Sequence, residues 1–260
     1  MTCREVMECL SELAPFEYAE DWDNVGLLVG DEDAEIESIY IALDAGSEEI
    51  DAAAELGADM LLTHHPMIFT PVKRVVKEDF VGSRIMKLIK SDMAYVAMHT
   101  NFDIMGMADA AADELGLKHA EVLQLVFEDD IAKAGFGRVG ELPEAMCLDA
   151  LAEKVKRAFD IPNVRIFGQG DMNVSRVAIL PGSGKSGIDD AIQGGAQVYI
   201  TGDIDHHSGL DALEKGLCII DAGHYGVEKL FIAYMKNYLH RRLRDIVVYT
   251  HPIEEPFRVL

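Results

Sequence analysis

The segment GSEEIDAAAELGADMLLT, residues 46–63, returns 138 residues later as GKSGIDDAIQGGAQVYIT, residues 184–201. No gap is needed to align the two. Gly46/Gly184, Ile50/Ile188, Asp51/Asp189, Ala53/Ala191, Gly57/Gly195, Ala58/Ala196 and Thr63/Thr201 coincide. Each copy follows a β-rich run, SIYIALDA at 38–45 and SRVAILPG at 175–182. A glycine-containing turn leads into a short helix, a Gly-Ala pair stops the helix, and a second apolar strand ends at threonine. Alternating strand and helix predicts an α/β fold with largely parallel strands. Shared punctuation without a gap points to duplication. The expectation is two similar α/β lobes, 1–125 and 126–260 in approximate bounds, with C-terminal elements packing back on the first lobe.

Strand ends are where such a fold keeps its chemistry. After the first copy the chain reads LLTHHPMIFTP, residues 61–71, setting His64 and His65 side by side. Adjacent strand residues point to opposite faces, so both imidazoles can share a site only if the strand has ended and the backbone turns. Pro66 suits that turn. Further on, a helix over DFVGSRIMKLIKS leads to a strand ending YVAMHTNFD, and a helix over HHSGLDALEKG leads to LCIIDAGHYGVE. Both strands end in a histidine followed four residues later by a carboxylate: His99 and Asp103, then His224 and Glu228. The second pair shares one helix face if the helix starts at once.

Taken singly, each of these residues has a plain structural role, as a buried hydrogen-bonding histidine or a first-turn carboxylate. Together, in repeat-related positions, they form a donor set of imidazole and carboxylate suited to zinc, iron, manganese or cobalt. Four histidines and two carboxylates exceed what one open catalytic ion needs and suit two ions. Lobes facing each other would bring the strand ends to a common cleft, with the metal site between them. A second histidine pair, His206 and His207 after TGDID, reads equally well as a substrate or supporting contact and as a polar loop. Trp22, Asp23 and Asn24 read as a core tryptophan followed by a turn.

Other classes are argued against. The chain carries 23 Lys and Arg against 46 Asp and Glu, a net charge of −23, which repels phosphate backbones and makes direct nucleic-acid binding unexpected. Four scattered cysteines form no CxxC and fit a reducing compartment. Early glutamates argue against a signal peptide, and no apolar run reaches the roughly 20 residues of a membrane span, so a cytoplasmic protein is expected. PGSGKSG at 181–187 imitates a nucleotide loop, but Ile179 stands where the motif's first glycine belongs. The repeat suggests an ordinary strand-to-helix turn, with incidental binding of a substrate phosphate by Lys185 as the lesser alternative.

LAPFEYAEDWDNVGLLVGD, LLTHHPMIF, HTNFD, GSGKS, ITGDIDHH and DAGHYGVEK occur in this order. With them the chain resembles the dinuclear-metal-centre family known as GTP cyclohydrolase I type 2 homologues, or Nif-three-like proteins. The resemblance implies two metal ions per chain held by His64, His65, Asp103, His224 and Glu228, with His99 close by. It implies a toroidal homohexamer, the short form without an inserted domain, and ring opening of GTP with release of formate. Lys185 departs from the small polar residue expected in the glycine loop. The expected activity is metal-dependent hydrolysis of a small molecule, a nucleotide or another cyclic amide or phosphoester, with His99 or His207 moving the proton. The rival is a non-catalytic protein that stores, delivers or senses metal.

Overall fold

A computed structural model describes residues 1–128, 133–255 and 257–259. It comprises two compact units: Met1–Phe102 with Phe231–Ile253, and the described residues of 103–230 with those beyond 253. In the first, five strands lie in the order β1 (Gly26–Val29), β4 (Ala94–Ala97), β3 (Met60–Thr63), β2 (Ser38–Ala42) and β11 (Val247–Thr250). All run parallel except β1, which is antiparallel to β4. Every residue of β2, β3 and β4 is buried, as expected of parallel strands covered on both faces. The helices Ser47–Glu55 and Phe80–Lys90 are the crossovers that β2, β3 and β4 require.

The second unit carries six strands in the order β5 (Lys118–Glu128), β6 (Lys133–Cys147), β8 (Asn173–Ser183), β9 (Val198–Gly202), β10 (Cys218–Asp221) and β7 (Arg165–Phe167). Only β8, β9 and β10 are mutually parallel; β5, β6 and β7 are antiparallel additions. Parallel pairing is thus the rule in the first sheet and the core motif of the second.

The duplication is visible in the hydrogen-bond register. Ile39, Tyr40 and Ile41 pair with Met60, Leu61 and Leu62, and Val177, Ala178 and Ile179 pair with Val198, Tyr199 and Ile200. Each residue of the second set lies 138 positions beyond its counterpart. The helix stops match as well. Gly57 (φ 66°) and Gly195 (φ 72°) adopt the left-handed conformation, and Ala58 and Ala196 donate their amides back to Ala53 and Ala191, each at 3.0 Å.

One correspondence shifts. Thr63 pairs with Ala97, while Thr201 pairs with Asp221. The register therefore places Thr100, not His99, opposite His224 in the repeat, and Gly223 opposite His99. The two histidines reach strand ends by neighbouring, not equivalent, positions. The helical run expected from Tyr225 onward is also divided, into His224–Glu228 and Leu230–Arg242. At the break, Lys229 Nζ donates to the Asp160 carbonyl at 2.8 Å.

Ile200 is fully buried at the middle of β9, so Ile200→Ala should lower stability by about 2–5 kcal/mol. Gly57→Ala meets no atom within 4 Å and should cost about 1 kcal/mol, from its backbone conformation alone. Urea titrations of the two variants check the ranking.

Candidate functional site

The doubled histidine sits where the strand gives out. The amides of His64 and His65 both donate to the Leu43 carbonyl, at 3.1 and 2.9 Å. One acceptor serving consecutive amides is incompatible with a continuing ladder, so the chain turns. The buried Tyr95 hydroxyl fixes the turn. It accepts from the Met67 amide at 2.7 Å, donates to the His65 carbonyl at 3.1 Å and lies 3.0 Å from Thr63 Oγ1. Burial pushes the Tyr95 phenol up to about 12, so it stays a neutral donor.

The turn delivers both rings to one place. The His64 ring centroid lies 4.9 Å from that of His65 and 5.2 Å from that of His99, and His65 and His99 are 5.5 Å apart. One nitrogen from each of the three rings lies within 4.8 Å of the others, close enough to hold an ion. His64 is fully buried and packs against Phe231.

What orients these rings was not visible in the motifs. His64 Nδ1 lies 2.8 Å from the Met98 carbonyl, which can only accept. Nδ1 therefore carries the proton, and in the neutral ring Nε2 keeps its lone pair. His65 Nδ1 faces Asp44 Oδ1 at 2.9 Å and His99 Nδ1 faces Asp23 Oδ1 at 2.9 Å. Metal-binding histidines are characteristically held this way by the nitrogen that does not bind the ion.

In the second unit His224 repeats the device, with Nδ1 2.8 Å from Asp203 Oδ2. Asp203 holds a left-handed backbone (φ 58°), a conformation tolerated by aspartate and found at sites that need a side chain aimed. The buried Asp221 carboxylate accepts from the Ile204 and Gly223 amides, each at 3.0 Å, and pairs with Arg165, which fastens together the loops bearing Asp203 and His224.

His224 Nε2 lies 2.8 Å from Glu228 Oε2, one helical turn on, as the spacing predicted. Hydrogen bonding to Glu228, against the opposing effect of burial, raises the His224 imidazole to about 9. The carboxylate is almost fully buried, and Gly182 explains how it fits. A Cβ on Gly182 would stand 2.2 Å from Glu228 Oε1. The glycine loop that imitates a nucleotide motif therefore makes room for a carboxylate. Its Lys185 is paired with Asp205 at 2.8 Å.

The structure thus gathers His64, His65 and His99 in one unit and His224 with Glu228 in the other. Asp103, half-buried, opens the π-helical turn Asp103–Met107, a form common at functional sites. His206 and His207 lie exposed on the first turn of the helix His206–Glu214, with their rings edge to face. Trp22 is not in the core: it is 56% exposed, tilted against Phe69 and edge-on to His99. Asp23 is more than a turn residue. Its side chain is fully buried and accepts from His99 Nδ1, the Thr100 amide at 3.0 Å and Thr100 Oγ1 at 2.5 Å. The sequence signal that was available is the cluster DWDN around the chain's one tryptophan.

Each group has the chemistry of divalent-metal ligands: in the first unit three imidazoles oriented through Nδ1, in the second one such imidazole with a buried carboxylate against it. The Duf34/NIF3 family (NGG1p interacting factor 3) matches residues 1–256. A Clostridium acetobutylicum relative named GTP cyclohydrolase 1 type 2 homolog is 33% identical over 249 residues, covering 95% of this chain and 92% of the relative. A Streptococcus pneumoniae protein of the same name is 35% identical, covering 89% and 88%. Among solved structures, reduced HcgD from Methanocaldococcus jannaschii superposes with a TM-score of 0.83 at 32% identity, covering 96% of this chain and 97% of that one. A Staphylococcus aureus hypothetical protein gives 0.90 at 32% identity, covering 100% and 99%.

Burial by itself would raise the Asp23 carboxyl, but hydrogen bonds from His99 and Thr100 outweigh it and hold the group down at about 2. A carboxylate lowered in the folded state stabilises the fold above its unfolded value, and that stability fades as pH falls toward the folded value. Asp23→Asn should therefore cost about 2 kcal/mol at neutral pH, and the difference from wild type should shrink below about pH 4. Urea unfolding of both proteins from pH 7 to pH 3 checks it.

Proposed function

This chain belongs to the Duf34/NIF3 family, and on that premise we propose that it is a hydrolase-like protein with a dinuclear metal centre held by His64, His65, Asp103, His224 and Glu228. The observation that carries the reading is the common anchoring of His64, His65, His99 and His224 through Nδ1. His251, which joins no such cluster, is also held through Nδ1, 2.9 Å from the Tyr40 hydroxyl, so the anchoring carries weight because it falls on histidines whose ring nitrogens gather with other donor atoms. Divalent ions held by these residues would supply Lewis acidity and lower the pKa of water toward neutrality.

The protein's own groups do the rest. Met98, Asp44 and Asp203 fix the rings of His64, His65 and His224, and the Gly182 gap admits Glu228. His99 is the proton carrier. Asp23 holds its Nδ1–H, so Nε2 is the nitrogen that accepts a proton during the reaction and returns it to the leaving group. His207, exposed and remote from this bonding pattern, is the weaker choice for that role.

The shared name of the relatives makes GTP the first substrate to test, with opening of a cyclic amide or cleavage of a phosphoester as the reaction class. The family resemblance also supports a homohexamer. Among the described residues no helix is long and apolar enough to cross a membrane. The proposed cytoplasmic site of action rests on the free, scattered cysteines, which suit a reducing compartment.

Purified protein loaded with zinc, manganese, iron or cobalt is assayed against GTP and a phosphoester panel, with metal content measured in parallel. Chelation should remove both ions and abolish turnover, and Glu228→Ala should abolish turnover and the second ion. His99→Ala should keep the metal and lose about 10²–10⁴-fold in turnover. Two ions per chain with no turnover on any substrate would establish the storage, delivery or sensing role instead.

A further inference from the structure

Trp22 and Phe69 stand out among the exposed residues. They are 56% and 51% exposed, and their rings touch, with centroids 5.8 Å apart and planes tilted by 51°. Both border His99: Trp22 meets its ring edge-on at 6.0 Å and 77°, and Phe69 at 6.5 Å and 69°. Two large aromatic side chains stand in water beside a partly buried histidine cluster and leave apolar surface uncovered.

Hydrogen bonds hold the two loops in this arrangement. Asn24 Nδ2 donates to the Ile68 carbonyl at 2.6 Å, tying the loop that bears Trp22 to the one that bears Phe69. Asp23 ties the first loop to His99 and Thr100, and the Glu20 amide donates to Thr100 Oγ1 at 3.0 Å. The Asp23 amide donates to the Glu20 carbonyl at 2.9 Å. The residues on both sides of Trp22 are thus pinned while the indole is held outward, next to the ring assigned to proton transfer.

We propose that Trp22 and Phe69 form a stacking platform for a planar nitrogen heterocycle, which places a ring of the substrate against His99. The inference deepens the proposed hydrolysis: it selects planar cyclic amides and nucleobases from the substrate classes left open, and disfavours simple phosphoesters. Stacking suits this position because it grips the face of a ring and leaves its edge open to attack. It also tolerates different bases, since every base has a π face.

Trp22 is the sole tryptophan, so intrinsic fluorescence reports the platform directly. The full chain, with and without added zinc, is titrated with GMP and with ribose 5-phosphate, which carries the same phosphate and sugar without the base. GMP should quench the emission after inner-filter correction, and ribose 5-phosphate should not. Calorimetric Kd values for GMP should weaken about tenfold in Trp22→Ala and in Phe69→Ala, with most of the loss recovered in Trp22→Phe. Thermal unfolding confirms that the variants are folded. The platform is refuted by equal responses to the two probes, by no response to either, or by unchanged GMP affinity in a folded Trp22→Ala. GMP binding in a protein that takes up no zinc would support the platform and remove the dinuclear reading. Two zinc ions per chain without a GMP response would remove the platform alone.

Discussion

The site depends on one hydrogen bond per imidazole. A histidine ring left to rotate offers either nitrogen to an ion, or neither; a ring whose Nδ1–H is committed to a fixed acceptor offers Nε2 in one direction. Parallel sheets supply such acceptors cheaply, because neighbouring strands in register end at the same level. Thr63 at the end of β3 lies beside Ala42 and Ala97. One residue past their ends, Met98 meets His64, and two residues past, Asp44 meets His65. In the second sheet Thr201 lies beside Asp221, and Asp203 and His224 meet just beyond them.

The two copies use this shared frame differently. Counting 138 residues on from His64, His65 and Asp44 gives Gly202, Asp203 and Gly182. The first copy places a histidine after its middle strand and the acceptor after the strand before. The second places the acceptor after the middle strand and the histidine after the next. Gly202 cannot be a histidine, because a Cβ there would be 2.6 Å from the His224 amide. Gly182 cannot be an aspartate, because Glu228 occupies the space. The two copies are complementary rather than identical, which is what duplication followed by specialisation of an unlike pair of donors would leave.

Much of this was legible in the sequence, for identifiable reasons. The gap-free repeat carried the strand–helix–strand unit because its glycines mark backbone conformations that few other residues adopt. The turn at His64–His65 followed from side-chain alternation and Pro66. The i, i+4 pairing of His224 and Glu228 followed from helix geometry. The partners of the histidines did not follow. Asp23, Asp44 and Asp203 are three among 46 acidic residues, and their roles arise from contacts 76, 21 and 21 positions away along the chain. Met98 acts through its backbone, which no side-chain pattern encodes. Trp22 misled because a lone tryptophan is ordinarily buried, and here neighbouring hydrogen bonds keep it outside. The antiparallel strands β5, β6 and β7 lie outside the repeat, so its grammar did not announce them.

The central claim is that these imidazoles coordinate metal through the nitrogen opposite the anchored one. Anomalous diffraction from crystals grown with zinc or manganese tests it most directly. The account predicts two peaks per chain about 3.5–4 Å apart, with Nε2 of His64, His65 and His224 as ligands and every Nδ1 still on its carbonyl or carboxylate. A metal bound through Nδ1, or metal bound only away from these histidines, would contradict it.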